Sequence, residues 1–175
     1  VYVDPSIEQE CLDEGCGFQN NPFKTINRAL EMINPSQESQ VTMNLSVGTY
    51  SPSANNESFP ILLQPNMTLL GVSDSLTIID AEEINTVLSI IDCSNSYVGN
   101  LTITGGNNSN SYEIYPGGGV YIRSSTSEMY NVTISDNFSI ADGGGIHLMV
   151  SELRISNSNI FDNFSNYWGG GIYNE

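Results

Sequence analysis

Basic residues are the scarcest feature of this chain: four Lys and Arg stand against 20 Asp and Glu, for a formal net charge of −16 over 175 residues. So acidic a surface repels phosphate backbones and anionic membrane leaflets, so nucleic acid is not expected as a partner. No apolar run approaches the roughly 20 residues that cross a bilayer, and no membrane insertion is expected. Histidine occurs once, at His147, which excludes a histidine cluster for metal or general-base chemistry. No secretory leader is visible, and a start at Val1 reads as a processed or trimmed product. Cysteine occurs three times. Cys11 and Cys16 lie in an acidic loop, spaced for a local disulfide in an oxidising compartment or for two free or metal-bound thiols otherwise. Cys93 is left over in an apolar run and reads as a small buried residue.

What the chain has instead is a repeat. Gly117-Gly118-Gly119-Val120-Tyr121-Ile122 returns as Gly143-Gly144-Gly145-Ile146-His147-Leu148 and again as Gly169-Gly170-Gly171-Ile172-Tyr173-Asn174, at a spacing of 26 residues each time. Asp136-Asn137-Phe138-Ser139 and Asp162-Asn163-Phe164-Ser165 keep the same beat. A fixed period of this size marks stacked structural units. Each unit holds short β-rich runs such as Val132-Thr133-Ile134, broken by Gly, Asn, Asp and Ser, with no room for a helix. The unit is therefore one coil of a parallel β-helix, with coils about 4.8 Å apart. Equivalent residues then stack: Val120, Ile146 and Ile172 in one core row, Ile134 and Ile160 in another. Tyr121, His147 and Tyr173 fall in one slot, read as an outer aromatic row. The triple glycines stack at a corner that needs positive φ or a missing side chain.

Taken in order, Val1-Tyr2-Val3-Asp4-Pro5 reads as a strand and turn. Asn21-Pro22 is a helix start, with Asn as N-cap and Pro at the first helical position. The helix Phe23 to Ile33 puts Phe23, Ile26, Leu30 and Ile33 on one face and stops at Asn34-Pro35. Residues 1–40 form an N-terminal strand, acidic loop and capping helix, because a solenoid needs its open end covered. Residues 41–175 form about five to six coils. In the middle coils, Leu69-Leu70-Gly71 aligns with Tyr97-Val98-Gly99, and Leu76-Thr77-Ile78 with Leu101-Thr102-Ile103. Asn100-Leu101-Thr102-Ile103 matches Asn131-Val132-Thr133-Ile134 at a spacing of 31, the extra residues forming a loop within Asn107 to Pro116. Ser127-Glu128-Met129 matches Ser151-Glu152-Leu153 at 24. Ending one strand into a coil, the stack is expected to continue past Glu175 or to meet another molecule end to end.

The order Val-Tyr-Val-Asp-Pro, a polar loop, Asn-Pro-Phe-Lys-Thr-Ile-Asn-Arg-Ala-Leu, then Val-Gly-Thr-Tyr resembles the N-terminal cap of secreted right-handed parallel β-helix proteins of the pectin-lyase-like superfamily. The Gly-Gly-Gly-Ile-Tyr and Asn-Val-Thr-Ile-Ser-Asp-Asn units resemble the repeats of the same superfamily, and those of polymorphic outer-membrane proteins and other β-helix adhesins. The resemblance covers nearly the whole chain. It implies an all-β, right-handed parallel β-helix with a capping helix, located outside the cell or on its surface. It leaves activity open, because this fold hosts lyases, hydrolases, adhesins and fibres.

No residue stands out as catalytic or metal-binding. Superfamily lyases need a basic residue and Ca²⁺-binding carboxylates, yet only Lys24, Arg28, Arg123 and Arg154 are available, and none shares a 26-residue register with another. Inverting hydrolases need two carboxyl groups roughly 6.5–9.5 Å apart. Asp136 and Asp162 stack on adjacent coils, but each opens the same turn, and turn residues bond their own backbone. No cofactor is expected beyond Ca²⁺ held by such stacked acids. Asn-x-Ser/Thr sequons begin at Asn44, Asn56, Asn66, Asn100, Asn107, Asn131, Asn137 and Asn163, more than random order gives for 21 asparagines. Each is a candidate for N-glycosylation. Asn137 and Asn163 can instead turn inward as an amide ladder, and glycans are then expected first at Asn56 and Asn107. The leading reading is a non-catalytic extracellular rod, an adhesin segment or a subunit of a fibre or coat, with a carbohydrate or cell-surface ligand. The other is a carbohydrate-active lyase or hydrolase of the same fold.

Overall fold

The computed structural model describes residues 1–12, 15–110 and 116–175. Strand β1 (Tyr2–Val3) and helix α1 (Ile26–Met32) come first, then β2 (Val41–Leu45), β3 (Gly48–Tyr50) and a single-turn helix α2 (Pro52–Asn55). Next are β4 (Ile61–Leu63), β5 (Met67–Leu70), β6 (Thr77–Asp80), β7 (Leu88–Ile91) and β8 (Ser96–Thr104). The repeat region supplies β9 (Val120–Arg123), β10 (Thr126–Ser135), β11 (Phe138–Ser139) and β12 (Ile146–Met149). The chain closes with β13 (Glu152–Ser156), β14 (Asn159–Phe161), β15 (Phe164–Ser165) and β16 (Ile172–Asn174).

Every ladder between these strands is parallel, and the strands stack into three sheets. The largest runs β1-β2-β5-β8-β10-β13, and a five-stranded sheet runs β4-β7-β9-β12-β16. The architecture is a right-handed parallel β-helix of about five turns. Its core is built of continuous rows. Ile61, Leu88, Val120, Ile146 and Ile172 pair in sequence, and so do Tyr50, Ile79, Ile103, Ile134 and Ile160. Side chains alternate across a strand, so one apolar residue per coil at each inward position fills the interior.

The cap differs in detail from the sequence expectation. Helix α1 begins after Thr25, whose hydroxyl accepts from Arg28 N at 3.1 Å, and not at Asn21-Pro22. Phe23 is held extended: its N–H donates to Tyr2 O at 3.0 Å, and its carbonyl accepts from Asp4 N at 2.8 Å. That pairing extends the chain through Phe23 and delays the helix. Two carboxylates then meet the N–H groups of the first turn. Glu10 accepts from Lys24 N and Thr25 N, and Glu57 accepts from Ile26 N and Asn27 N at 2.7 and 3.1 Å. The helix buries Ile26, Ala29 and Leu30 against the stack.

Three alignments of the sequence reading shift. Met43 pairs with Leu69, Leu69 with Val98, Val98 with Met129 and Met129 with Ile155, so the offsets run 26, 29, 31 and 26. Tyr97 therefore lies beside Thr68, not Leu69, and Thr102 beside Ile78, not Thr77. The reason is a corner. Leu69 to Ile79 takes ten residues, whereas the equivalent span from Val98 to Ile103 takes five and turns on one left-handed residue, Asn100 (φ 55°). Ser127 pairs with Leu153, not Ser151, because β10 and β13 keep the 26-residue register throughout. The expected loop within Asn107 to Pro116 lies partly outside the described residues, as do Asp13 and Glu14 of the acidic loop.

Candidate saccharide-binding face

On the large sheet, Met43, Leu69, Val98 and Met129 point inward and are fully buried. Their neighbours Thr42, Thr68, Tyr97, Glu128 and Arg154 therefore form one outer row, in register across five coils. Thr68, Tyr97, Glu128 and Arg154 of this row, with Gln40, Asn95, Thr126 and Glu152, line a groove of about 510 Å³ that crosses the strands. The glycine two residues on sets the pose of the tyrosine. A Cβ at Gly99 would lie 2.7 Å from Tyr97 Cε1 and 3.1 Å from its hydroxyl, so one edge of the phenol ring occupies the space that the missing side chain leaves. Partial burial pushes the Tyr97 hydroxyl up, and the charges of Glu128 and Tyr130 add to it. Glu152 and Arg154 form an exposed pair at 3.4 Å, leaving two carboxylates against one guanidinium in the groove. A flat ring flanked by hydroxyls, amides and a carboxylate is the chemistry that stacks on a sugar face and bonds its hydroxyls.

The sequence reading does not reach this site because its one-residue slip sets Tyr97 level with Leu69, which points inward. The signal was present: the Asn100/Asn131 match fixes an offset of 31, which carries Ser96-Tyr97-Val98-Gly99 onto Ser127-Glu128-Met129-Tyr130.

The sequence candidates take other roles. Cys11 and Cys16 form a disulfide with a Cα–Cα distance of 5.8 Å. Cys93 is buried, as expected. Tyr121 and His147 are not an outward row: they are 2% and 3% exposed. The His147 ring sits between Tyr121 and Tyr173, at 5.6 and 5.1 Å between centroids. Its Nε2 faces Glu175 Oε1 at 3.5 Å, an ion-pair distance without hydrogen-bond geometry. Gly143 folds back against it, with positive φ and its missing Cβ only 2.8 Å from His147 Cβ, which explains why the row is covered. Asp136 and Asp162 both take left-handed backbone at φ 57° and 52° and are exposed turn residues. No group of three His, Cys, Asp or Glu is placed for a metal among the described residues.

The next position holds the amide ladder. Asn137 is 2% exposed. Its Nδ2 donates to Asn163 Oδ1 at 2.9 Å and to Ser135 O at 2.9 Å, and its Oδ1 accepts from Gly106 N at 2.8 Å. Asn163 repeats the pattern, with Nδ2 donating to Ile134 O and Phe161 O. Phe138 and Phe164 stack beside it at 5.8 Å.

A family model matches residues 11–167. The chain belongs to that family, described as "Protein of unknown function (DUF1565)". No curated protein matches it. Among solved structures it is similar to pectin methylesterase PemA from Erwinia chrysanthemi, at 13% identity and a TM-score of 0.58, covering 93% of this chain and 55% of that one. It is also similar to a pectin methylesterase variant in complex with a hexasaccharide, at 14% identity and a TM-score of 0.52, covering 82% of this chain and 49% of that one. The chain thus spans about half the length of these structures. At such identity the likeness is one of fold, the pectin-lyase-like β-helix.

Proposed function

We propose that this chain is a non-catalytic extracellular β-helix rod, an adhesin segment or a subunit of a fibre or coat, that binds carbohydrate along the outer face of its large sheet. The observation that carries the reading is the Tyr97 ring, seated against Gly99 inside a groove that runs along the stack. A glycan chain laid in that groove meets one coil per roughly 4.8 Å of its length. The Cys11–Cys16 disulfide suits an oxidising, extracellular setting. The non-catalytic part is supported by how the acids are used. Glu10 and Glu57 cap a helix, Asp74 accepts from Thr133, Asp142 accepts from Trp168 N, and Asp92 and Glu152 face arginines. Each of these acids has a structural role that accounts for its place in the fold.

A glycan array with the purified chain and its Tyr97→Ala variant tests this. The wild-type chain is expected to bind a defined set of glycans, and the variant to lose about tenfold in affinity, the worth of one aromatic stacking contact. No binding, or equal binding by both, overturns the reading. Both solved neighbours are pectin methylesterases, which favours a second reading, a carbohydrate esterase. Methanol release from methyl-esterified pectin would put that reading first; cleavage of pectate to unsaturated uronides would put a lyase first.

A further inference from the structure

We propose that the fold selects two of the eight sequon asparagines, Asn56 and Asn107, as the N-glycosylation sites of this chain. The proposal does not rest on the saccharide groove. Glycosylation requires the amide nitrogen to attack the anomeric carbon of an oligosaccharide carried on a lipid diphosphate. The new C–N bond replaces the C–O bond to the diphosphate, the nitrogen gives up one proton, and the lipid diphosphate leaves. In the folded product that nitrogen must point to solvent with room for the sugar.

Six asparagines fail this condition. Asn137 Nδ2 is committed to Ser135 O and Asn163 Oδ1 inside the stack, and Asn163 Nδ2 to Ile134 O and Phe161 O. Asn131 Nδ2 donates to Asn100 Oδ1 at 3.0 Å, which commits the Asn131 nitrogen, while Asn100 is excluded by its place inside β8, between two neighbouring strands. The hydroxyls of those two sequons are also occupied, Thr102 by Asp74 O and Thr133 by Asp74 Oδ2. Asn44 sits in β2 with Nδ2 on Val1 O. Asn66 is 8% exposed, too enclosed for a glycan.

Asn56 and Asn107 differ in kind. Asn56 is exposed, with left-handed backbone just after α2, and Ser58 of its sequon is exposed as well. Asn107 follows β8 at a turn, where its Oδ1 accepts from Ser109 N at 3.0 Å. That bond uses the oxygen and leaves Nδ2 without a bond among the described residues, on a half-buried residue next to the exposed Ser109 of its sequon. Neither Nδ2 makes a hydrogen bond among the described residues. Neither residue lies on a strand of the large sheet, so sugars at both leave the Tyr97 groove open.

The test is expression of the chain in a eukaryotic secretory host, beside a secreted glycoprotein that shows the host is competent. The folded monomer is isolated by size exclusion and its glycopeptides are mapped. Sugar is expected on Asn56 and Asn107, with Asn137 and Asn163 bare. Ser58→Ala and Ser109→Ala, which leave both asparagines in place, should each lower the intact mass by one glycan. Asn56→Gln and Asn107→Gln give the same reading through the other half of the sequon. A folded monomer bare at Asn56 or Asn107, or carrying sugar at any of the other six, overturns the selection.

Discussion

The coils after Gly117 and the coils before Thr104 close by different means. In the later coils each corner is made once and copied. Asn131 and Asn157 turn one corner in left-handed backbone and Asp136 and Asp162 turn the next, a pattern that Asn100 and Gly105 open one coil earlier. The glycine corner is a lattice of its own: Gly118 N donates to Gly143 O, Gly119 N to Gly144 O, and Gly144 N to Gly169 O, at 3.0 to 3.1 Å. In the early coils the closures are single, long-range contacts. The Tyr50 hydroxyl donates to Val3 O, Asn55 Nδ2 to Lys24 O, and Gln64 Nε2 to Leu30 O. Repetition lets one local solution serve every coil, whereas the early coils must also seat the cap and so depend on contacts that occur once. Stability should therefore respond to a substitution by its place in the copied lattice, and less to the residue type.

The largest effect is expected in the core row. Ile146 is fully buried between Val120 and Ile172, so Ile146→Asp places a charge with no partner among apolar neighbours. A loss above about 4 kcal/mol is expected, enough to unfold the domain. Ile172, equivalent in register but 43% exposed on the last strand, should tolerate Asp at a small fraction of that cost. Urea denaturation of both variants decides this; equal losses would mean that the row is not a graded stack.

Next comes the amide ladder. Asn137→Ala strips partners from Gly106 N, Ser135 O and Ile103 O, and leaves Asn163 Oδ1 with the Asn137 N–H as its remaining donor. Several buried groups unmade at about 1 kcal/mol or more each predict a loss of roughly 2–4 kcal/mol. Asn163→Ala, one coil further on and only half buried, should cost less. Calorimetric melting of the two variants measures the difference.

These contrasts also mark what was legible beforehand. The 26-residue register was read correctly at Val120, Ile146 and Ile172 because identical coils force identical residues into identical slots. The register at Leu69 was read one residue off because Gly71 was matched to Gly99 on type alone. Gly71 lies under the Asn100 carbonyl, where a Cβ would come within 2.2 Å, while Gly99 makes room for a tyrosine ring. One residue type serves two purposes, and periodicity cannot separate them. The groove was lost with that register. The burial of His147 was hidden for another reason: alternation assigns a residue to a face and says nothing of what folds back over that face, here Gly143.

The glycine corner offers a sharper contrast at lower cost. A Cβ at Gly145 would lie 2.6 Å from Gly171 O and 3.1 Å from Asn163 Cγ. Gly145→Ala must push a backbone and the ladder apart, for about 1–3 kcal/mol. At Gly171 the nearest atom to an added Cβ is Ile160 Cγ2 at 3.6 Å, an ordinary contact. Gly171→Ala is expected within about 0.5 kcal/mol of wild type. Equal effects in thermal melting would show that the stacked contacts at Gly145 do not set the cost, since the loss of unfolded-chain entropy favours Ala at both sites.

The smallest effect belongs to the early coils and to pH. Burial holds the Glu57 carboxyl above its ordinary pKa, against the downward pull of the Ile26 and Asn27 N–H donors and the Asn27 side chain. A carboxyl raised in the folded state keeps its proton at a pH where the unfolded chain has lost it. Its contribution to stability is therefore present in full below the unfolded pKa, and is lost as pH rises through the folded one. The folded protein should lose part of its stability over that window, and Glu57→Gln, which cannot ionise, should flatten the slope there. Gln also turns its own NH₂ toward one of the two backbone donors, so the variant is expected to be less stable than wild type at neutral pH. Denaturant midpoints measured across the carboxylate range separate the two effects. An unchanged slope in the Gln variant would assign the pH dependence to other carboxylates of this acidic chain and leave Glu57 as a helix cap only.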